Sequence, residues 1–236
     1  MTTTGTTSFA PTINELFEEA FERAASAEMR SGYDFRTARR SLNLLTTEWS
    51  NRGVNLWTID SGSISLVAGT ATYNLPVDTV DLIEHVVRQN VGNTSTQTDI
   101  NINRISVSTY STIPNKLSRG RPIQIYINRQ SGESTPTGVA YPTVTVWPIP
   151  SDNSYTLVYW RLRRLSDAGN AVNTADIPFR FLPALVAGLA YYIAMKIPGG
   201  MERLQVLKAI YDEQWDLASG EDRDKASVRF VPRIMR

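Results

Sequence analysis

Apolar positions recur at helical spacing towards both ends of the chain and at alternate positions in the middle. Ile13, Leu16, Phe17, Ala20, Phe21 and Ala24 lie on one face of a 3.6-residue period. Pro11 and the capping-box spacing of Thr12 and Glu15 predict where that helix starts. Glu18, Glu19 and Glu22 fall on the opposite face, where early acids suit the helix dipole and solvent. Ser31-Gly32 interrupts the pattern. A second stripe follows with Ala38, Leu42, Leu45 and Trp49, while Arg36, Arg39, Arg40 and Arg52 lie mostly off it. Gly53 is a plausible stop. The short break predicts that these two helices form an antiparallel hairpin.

From Leu56 to Leu165 the period becomes two. Ile64-Ser65-Leu66, Thr70 to Leu75, Ile123 to Asn128, Thr143 to Trp147 and Tyr155 to Leu162 read as strands separated by Gly and Pro. Gln89 to Thr98 and Gln130 to Ala140 are polar and read as loops. Helical spacing returns after Asp176-Ile177-Pro178. The stretch from Phe181 to Ile197 is apolar nearly all round, so it belongs at the centre of a core. Pro198-Gly199-Gly200 predicts a tight turn. Leu204, Leu207, Tyr211, Gln214, Trp215 and Ala218 mark a last helix ended by Gly220.

Two amphipathic helices before the β region and two after it can bury their faces against one another. The pattern predicts an α+β fold: a four-helix bundle carrying an inserted antiparallel β-sandwich or barrel. The expected organisation is an N-terminal arm with the first helix pair over residues 1–54 and a β domain over 55–175. The second helix pair takes 176–220, and an extended tail takes 221–236.

Composition narrows the chemistry. The 236 residues include one His and no Cys, which excludes disulfides, thiol catalysis, Cys-ligated zinc and multi-His metal sites. No catalytic residue, cofactor or metal site is expected. Net charge is +1, which argues against a surface devoted to gripping nucleic acid or anionic lipid. Of 24 basic residues only Lys116, Lys196, Lys208 and Lys225 are lysine, and an Arg-rich balance is a weak sign of contact surfaces. Met1 to Ala10 has neither the basic start nor the apolar centre of a signal peptide, and Phe181 to Ile197 is too short to span a bilayer.

The remaining candidates are modest. His85 sits in an apolar strand and reads as a histidine hydrogen-bonding a neighbour, and no nucleophile elbow accompanies it. Asp78, Asp81 and Glu84 read as solvated acids rather than metal ligands. Lys116, Arg119 and Arg121 surround Gly120 as a basic loop that could touch phosphate or an acidic partner. Arg161 and Arg163 end a strand on one face and could pair with carboxylates of another chain. Trp147, Tyr155, Tyr159 and Trp160 support an alternative, a carbohydrate-binding face, although core packing is the commoner use of strand aromatics. The stretch from Ser227 to Arg236 combines Val228, Phe230, Val231 and Ile234 with Arg229, Arg233 and Arg236 and no acid, which suits docking onto a partner.

The order of several motifs resembles phage head-to-tail adaptor proteins of the tail tubular protein A-like family of short-tailed phages. The motifs are Leu66 to Asp78 followed by Leu82 to Val86; Val144-Thr145-Val146-Trp147-Pro148-Ile149-Pro150; Leu157 to Arg161; and Asp176-Ile177-Pro178-Phe179 before an apolar helix. The resemblance implies a structural virion protein at the head–tail junction, present in the host cytoplasm during assembly. It implies a ring of copies of this chain, usually twelve, that binds the portal protein, receives a nozzle or other tail protein and lets double-stranded DNA pass unspecifically. It implies no membrane partner. On that reading the Ser227–Arg236 segment meets the portal, Glu18, Glu19, Glu22, Arg161 and Arg163 are inter-subunit candidates, and Lys116, Arg119 and Arg121 face the channel or a partner.

Overall fold

Thr12 and Glu15 set the start of the first helix as their spacing predicts. In the computed structural model the Thr12 amide donates to Glu15 Oε2 at 2.6 Å, and the Glu15 amide donates to Thr12 Oγ1 at 3.3 Å. The structure describes residues 5, 9–25, 32–53, 56–129, 134–135 and 138–222. The Ser227–Arg236 tail therefore lies outside the described residues. The chain divides into two compact units. Thr58–Arg164 form one, and the residues up to Trp57 together with those from Leu165 onward form the other.

The helical unit contains α1 (Ile13–Ala25), α2 (Gly32–Arg52), α4 (Leu182–Ala194) and α5 (Leu204–Glu221), numbered to leave α3 for a short helix between them. The all-round apolar sequence of α4 takes the central place. Ala184 to Ala190, Ile193 and Ala194 are buried, and α1, α2 and α5 all pack on it. Helices α1 and α2 touch each other only slightly. The expected hairpin is thus weak as a pair, because both helices turn their apolar stripes to α4. Gly188 permits the close approach of α4: a Cβ there would stand 2.8 Å from the Tyr211 ring and 3.0 Å from Leu45.

A polar chain ties the early helices to the late ones. Trp49 Nε1 donates to Tyr211 Oη at 2.9 Å, Tyr211 Oη donates to Glu48 Oε1 at 3.2 Å, and Tyr192 Oη donates to Glu48 Oε2 at 2.8 Å. Arg52 pairs with Glu48 and lies over the Tyr211 and Trp215 rings. Burial and the Glu48 carboxylate push the Tyr192 hydroxyl up to about 12, so it stays a donor at neutral pH.

Residues 165–175, read above as the end of the β region, run along the helices instead. The amides of Ile13 and Asn14 donate to the carbonyls of Asn173 and Ala171, which satisfies two free donors at the start of α1. Ala168 and Ala175 pack on the bundle core. At the far end of α5, Asp222 is buried with its side chain 1% exposed and pairs with Arg180.

The β unit begins with β1 (Ile59–Ser65), β2 (Thr72–Asn74), β3 (Thr79–Gln89), β4 (Thr98–Asn101) and β5 (Asn103–Ile105). The five-residue α3 (Val107–Ser111) follows. Then come β6 (Arg119–Gly120), β7 (Gln124–Asn128), β8 (Ser134–Thr135), β9 (Gly138–Val139), β10 (Thr143–Trp147), β11 (Ile149–Pro150) and β12 (Tyr155–Arg163). One sheet has the order β1-β12-β3-β4 and the other β2-β10-β7-β5. Leu82, Val87, Tyr155, Leu157 and Tyr159 of the first share one core with Ile125, Ile127, Val144 and Val146 of the second. The α+β expectation holds, with two qualifications. The sheets stay open, so there is no closed barrel. The pairs β5–β7 and β6–β11 are parallel, although the expectation was antiparallel throughout.

Candidate interaction surfaces

Alternation decides which aromatics and charges reach solvent. Tyr155 and Tyr159 point into the sandwich core, whereas Trp160 between Tyr159 and Arg161 is 38% exposed beside Ile59, Ile83 and Val86. Trp147 belongs to the other sheet, alternates with core Val144 and Val146, and donates its Nε1 to the Asn115 carbonyl at 3.0 Å. These aromatics do not share a face: Tyr155 and Tyr159 serve core packing, and the alternative of a carbohydrate-binding face finds no common platform in them.

The strand-end arginines have partners inside the β unit. Asp60 lies directly across the sheet from Arg161. Arg161 Nη1 meets Asp78 Oδ1 at 2.6 Å and Thr79 Oγ1 at 3.0 Å, and its Nη2 lies 3.4 Å from Asp60 Oδ2. Arg163 Nε lies 3.4 Å from the same Asp60 oxygen. Burial raises the Asp78 carboxyl, but the hydrogen bond and charge of Arg161, with the charge of Arg163, hold it below the usual carboxylate range. Asp81 is likewise paired rather than merely solvated, with Arg104 at 2.8 Å and Arg129 at 3.1 Å. Much of the arginine excess therefore serves ion pairs within the chain. Among the described residues Arg36, Arg39, Arg119, Arg121 and Arg164 are exposed and have no carboxylate partner.

The basic loop separates into two kinds of residue. Lys116 Nζ donates to the carbonyls of Ser111 at 3.0 Å and Ile113 at 3.1 Å, which caps the end of α3. Arg119 and Arg121 remain exposed. On α1, Glu18 accepts from Asn14 at 2.5 Å and Glu19 pairs with Arg23 at 2.7 Å, while Glu22 is exposed.

His85 lies on β3 opposite Tyr159 of β12. Both ring nitrogens are buried and neither meets strict hydrogen-bond geometry with a described residue, although the Ile102 backbone lies near enough to favour the protonated ring, as the expected hydrogen bond to a neighbour would. Burial lowers its pKa from 6.5, with Glu84 opposing and Arg104 assisting. A base whose pKa falls on folding binds protons more readily when unfolded. Its stabilising share is present above 6.5 and is lost as pH falls through the lowered value. The melting temperature is expected to drop as pH is lowered from about 7 to about 5.5 in the wild type, and to drop less in His85→Leu. Equal slopes for the two proteins would contradict this assignment.

Among the described residues no cluster of three or more His, Asp or Glu could hold a metal ion. No described helix is long and apolar enough to cross a membrane.

The described surface thus offers exposed charges and apolar patches to partners, set on two compact units. The SU10 adaptor protein family model matches residues 12–234, which takes in both helix pairs and the whole β unit. The chain belongs to the SU10 adaptor protein family. No curated protein matches it. The family is one of structural phage adaptors rather than enzymes, which implies a structural role in the virion and binding to other virion proteins. For this adaptor the residues of interest are therefore those left over after the internal pairs are made. Sequence reasoning did not separate Arg161 and Arg163 from Arg36 and Arg39, because the carboxylates that engage the first two are distant in the chain. It also missed the exposed stripe of α5, Val206, Ile210 and Leu217, whose i, i+4, i+11 spacing is legible in the sequence.

Proposed function

We propose that this adaptor forms a ring of copies, twelve in the tail tubular protein A-like manner, between the portal and a nozzle or other tail protein. The family match over residues 12–234 is the observation that carries the reading. The ring extends the DNA channel at the head–tail junction, assembles in the host cytoplasm and offers a docking surface for later tail proteins. A net charge of +1 suits a channel that lets DNA pass, since each neutralised phosphate adds salt-dependent affinity. Exposed Arg119 and Arg121 are the channel or partner contacts, and Lys116 supports their loop from within. Glu18, Glu19 and Glu22 face a neighbouring subunit. Arg161 and Arg163 reach a neighbour only by sharing their hold on Asp60 and Asp78.

The apolar, basic segment from Val228 to Arg236 docks onto the portal, with Val228, Phe230, Val231 and Ile234 as anchors and Arg229, Arg233 and Arg236 meeting acids. Deleting Ser227–Arg236 is expected to leave the circular dichroism spectrum unchanged and to abolish co-sedimentation with the portal. Attachment of the truncated chain at the wild-type level would refute the role given to the tail.

A further inference from the structure

Helix α4 is covered on three flanks, by α1, α2 and α5. Its residues are buried all round, but the cover beside α1 is grooved. A groove of about 820 Å3 lies between α1, residues 9–11 and the start of α4, and a second of about 340 Å3 lies between α1 and α5; both touch Arg23, and no residue of α2 lines either. Val186 and Ala187 of α4 form their floor, and Val206 and Ile210 of α5 line one side. On the α1 side Glu15 and Glu19 line the first groove and Glu22 the second, and these acids outnumber Arg23, which pairs with Glu19.

The outer face of α2 has the matching chemistry. Tyr33, Arg36, Arg40 and Leu44 recur at i, i+3, i+7 and i+11, which places them on one stripe. Tyr33 is 63% and Leu44 57% exposed. Among the described residues neither Arg36 nor Arg40 has a carboxylate partner, and the Arg40 guanidinium donates to the Thr37 hydroxyl at 3.4 Å. Lys196 adds to the positive field, since Arg40 lies close enough to help lower its pKa.

We infer that the grooves beside α1 receive α2 of a neighbouring copy. The inference rests on the ring reading above and names the two faces that meet. Arginines of α2 lie along the acidic wall of α1, and Tyr33 and Leu44 enter the apolar hollows, a helix-in-groove contact. The buried face of α2 packs on α4 and α5 of its own chain, so its stripe and the grooves beside α1 are different sides of one bundle. A contact between unlike sides is heterologous and propagates until the rotation closes a ring.

The test uses the full chain under conditions where the wild type forms rings, alone or with the portal. Arg36→Glu with Arg40→Glu is expected to abolish rings with an unchanged circular dichroism spectrum, and so is Glu19→Arg with Glu22→Arg. The chain carrying all four substitutions is expected to regain them. The absence of cysteine makes introduced thiols the only ones. Val206→Cys combined with Leu44→Cys is expected to give a ladder of covalent multimers on oxidation. Rings that survive both charge reversals would overturn the inference and leave the ring reading intact. Loss without recovery in the four-substitution chain would also overturn it. A Val206→Cys thiol that links to Phe230→Cys, and not to Leu44→Cys, would assign the grooves to the tail and overturn it. A wild type that never forms rings, even with the portal, would remove the ring reading first and this inference with it.

Discussion

Trp49→Ala is expected to cost about 4 kcal/mol and to lower the melting temperature by roughly 10 °C. Trp49 is fully buried. Its ring packs at 5.6 Å from the Phe181 centroid and 4.9 Å from that of Trp215, so truncation leaves a cavity where α2 meets α5 and the start of α4. It also removes the donor that Tyr211 Oη accepts from. Two losses coincide, of packing and of a buried hydrogen bond. Trp49→Phe separates them: it keeps most of the ring and should cost about 1–2 kcal/mol through the missing N–H. Thermal denaturation followed by circular dichroism checks both values. Similar melting temperatures for Trp49→Ala and the wild type would mean that the network does not join the two helix pairs.

Gly200→Val should cost about 3 kcal/mol, more than the same change at Gly199. From the sequence both glycines belong to one tight turn before the last helix. The structure gives them different reasons. Gly199 has φ +81° and open space around it, so a side chain there meets backbone strain alone, about 1–2 kcal/mol. A Cβ on Gly200 would press on the Ala194 carbonyl and lie 2.8 Å from the Ala194 Cα. That backbone ends the central helix and is buried, so it cannot yield cheaply. Alanine at each position gives the gentler comparison. Denaturant midpoints that rank Gly199→Ala below Gly200→Ala would contradict this explanation.

Local physics made much of the bundle legible. The stripe of α1, its Thr12–Glu15 box and the all-round apolar character of α4 depend on neighbours within a few turns, and they can be read from spacing. Val144 and Val146 were legible in the same way, because alternation alone sends them inward. What escaped depends on distant partners. Asp60 and Asp78 engage Arg161 from strands far away in sequence, so the arginines looked available. The parallel pairings of β5 with β7 and of β6 with β11 carry no local signature. Residues 165–175 have neither period, so nothing in their pattern tied them to the start of α1. The Glu48–Tyr192–Tyr211–Trp49 chain was hidden for the same reason. Its members were read as stripe residues or not at all, although the hydroxyls needed burial and a common partner to matter.

The arginine excess shows how the interaction surface was half visible. Counting arginines suggested contacts but could not locate them. Internal ion pairs account for Arg23, Arg52, Arg88, Arg104, Arg129, Arg161, Arg163 and Arg180, and among the described residues Arg36, Arg39, Arg40, Arg119, Arg121 and Arg164 are left without a carboxylate partner.

The central claim is that copies of this adaptor form a ring on the portal. It is tested most directly by mixing purified chain with the portal and imaging the product by single-particle electron microscopy, with mass photometry on the same sample. A closed ring of this chain seated coaxially on the portal is the expected result. A chain that stays monomeric both alone and in the presence of the portal would contradict it.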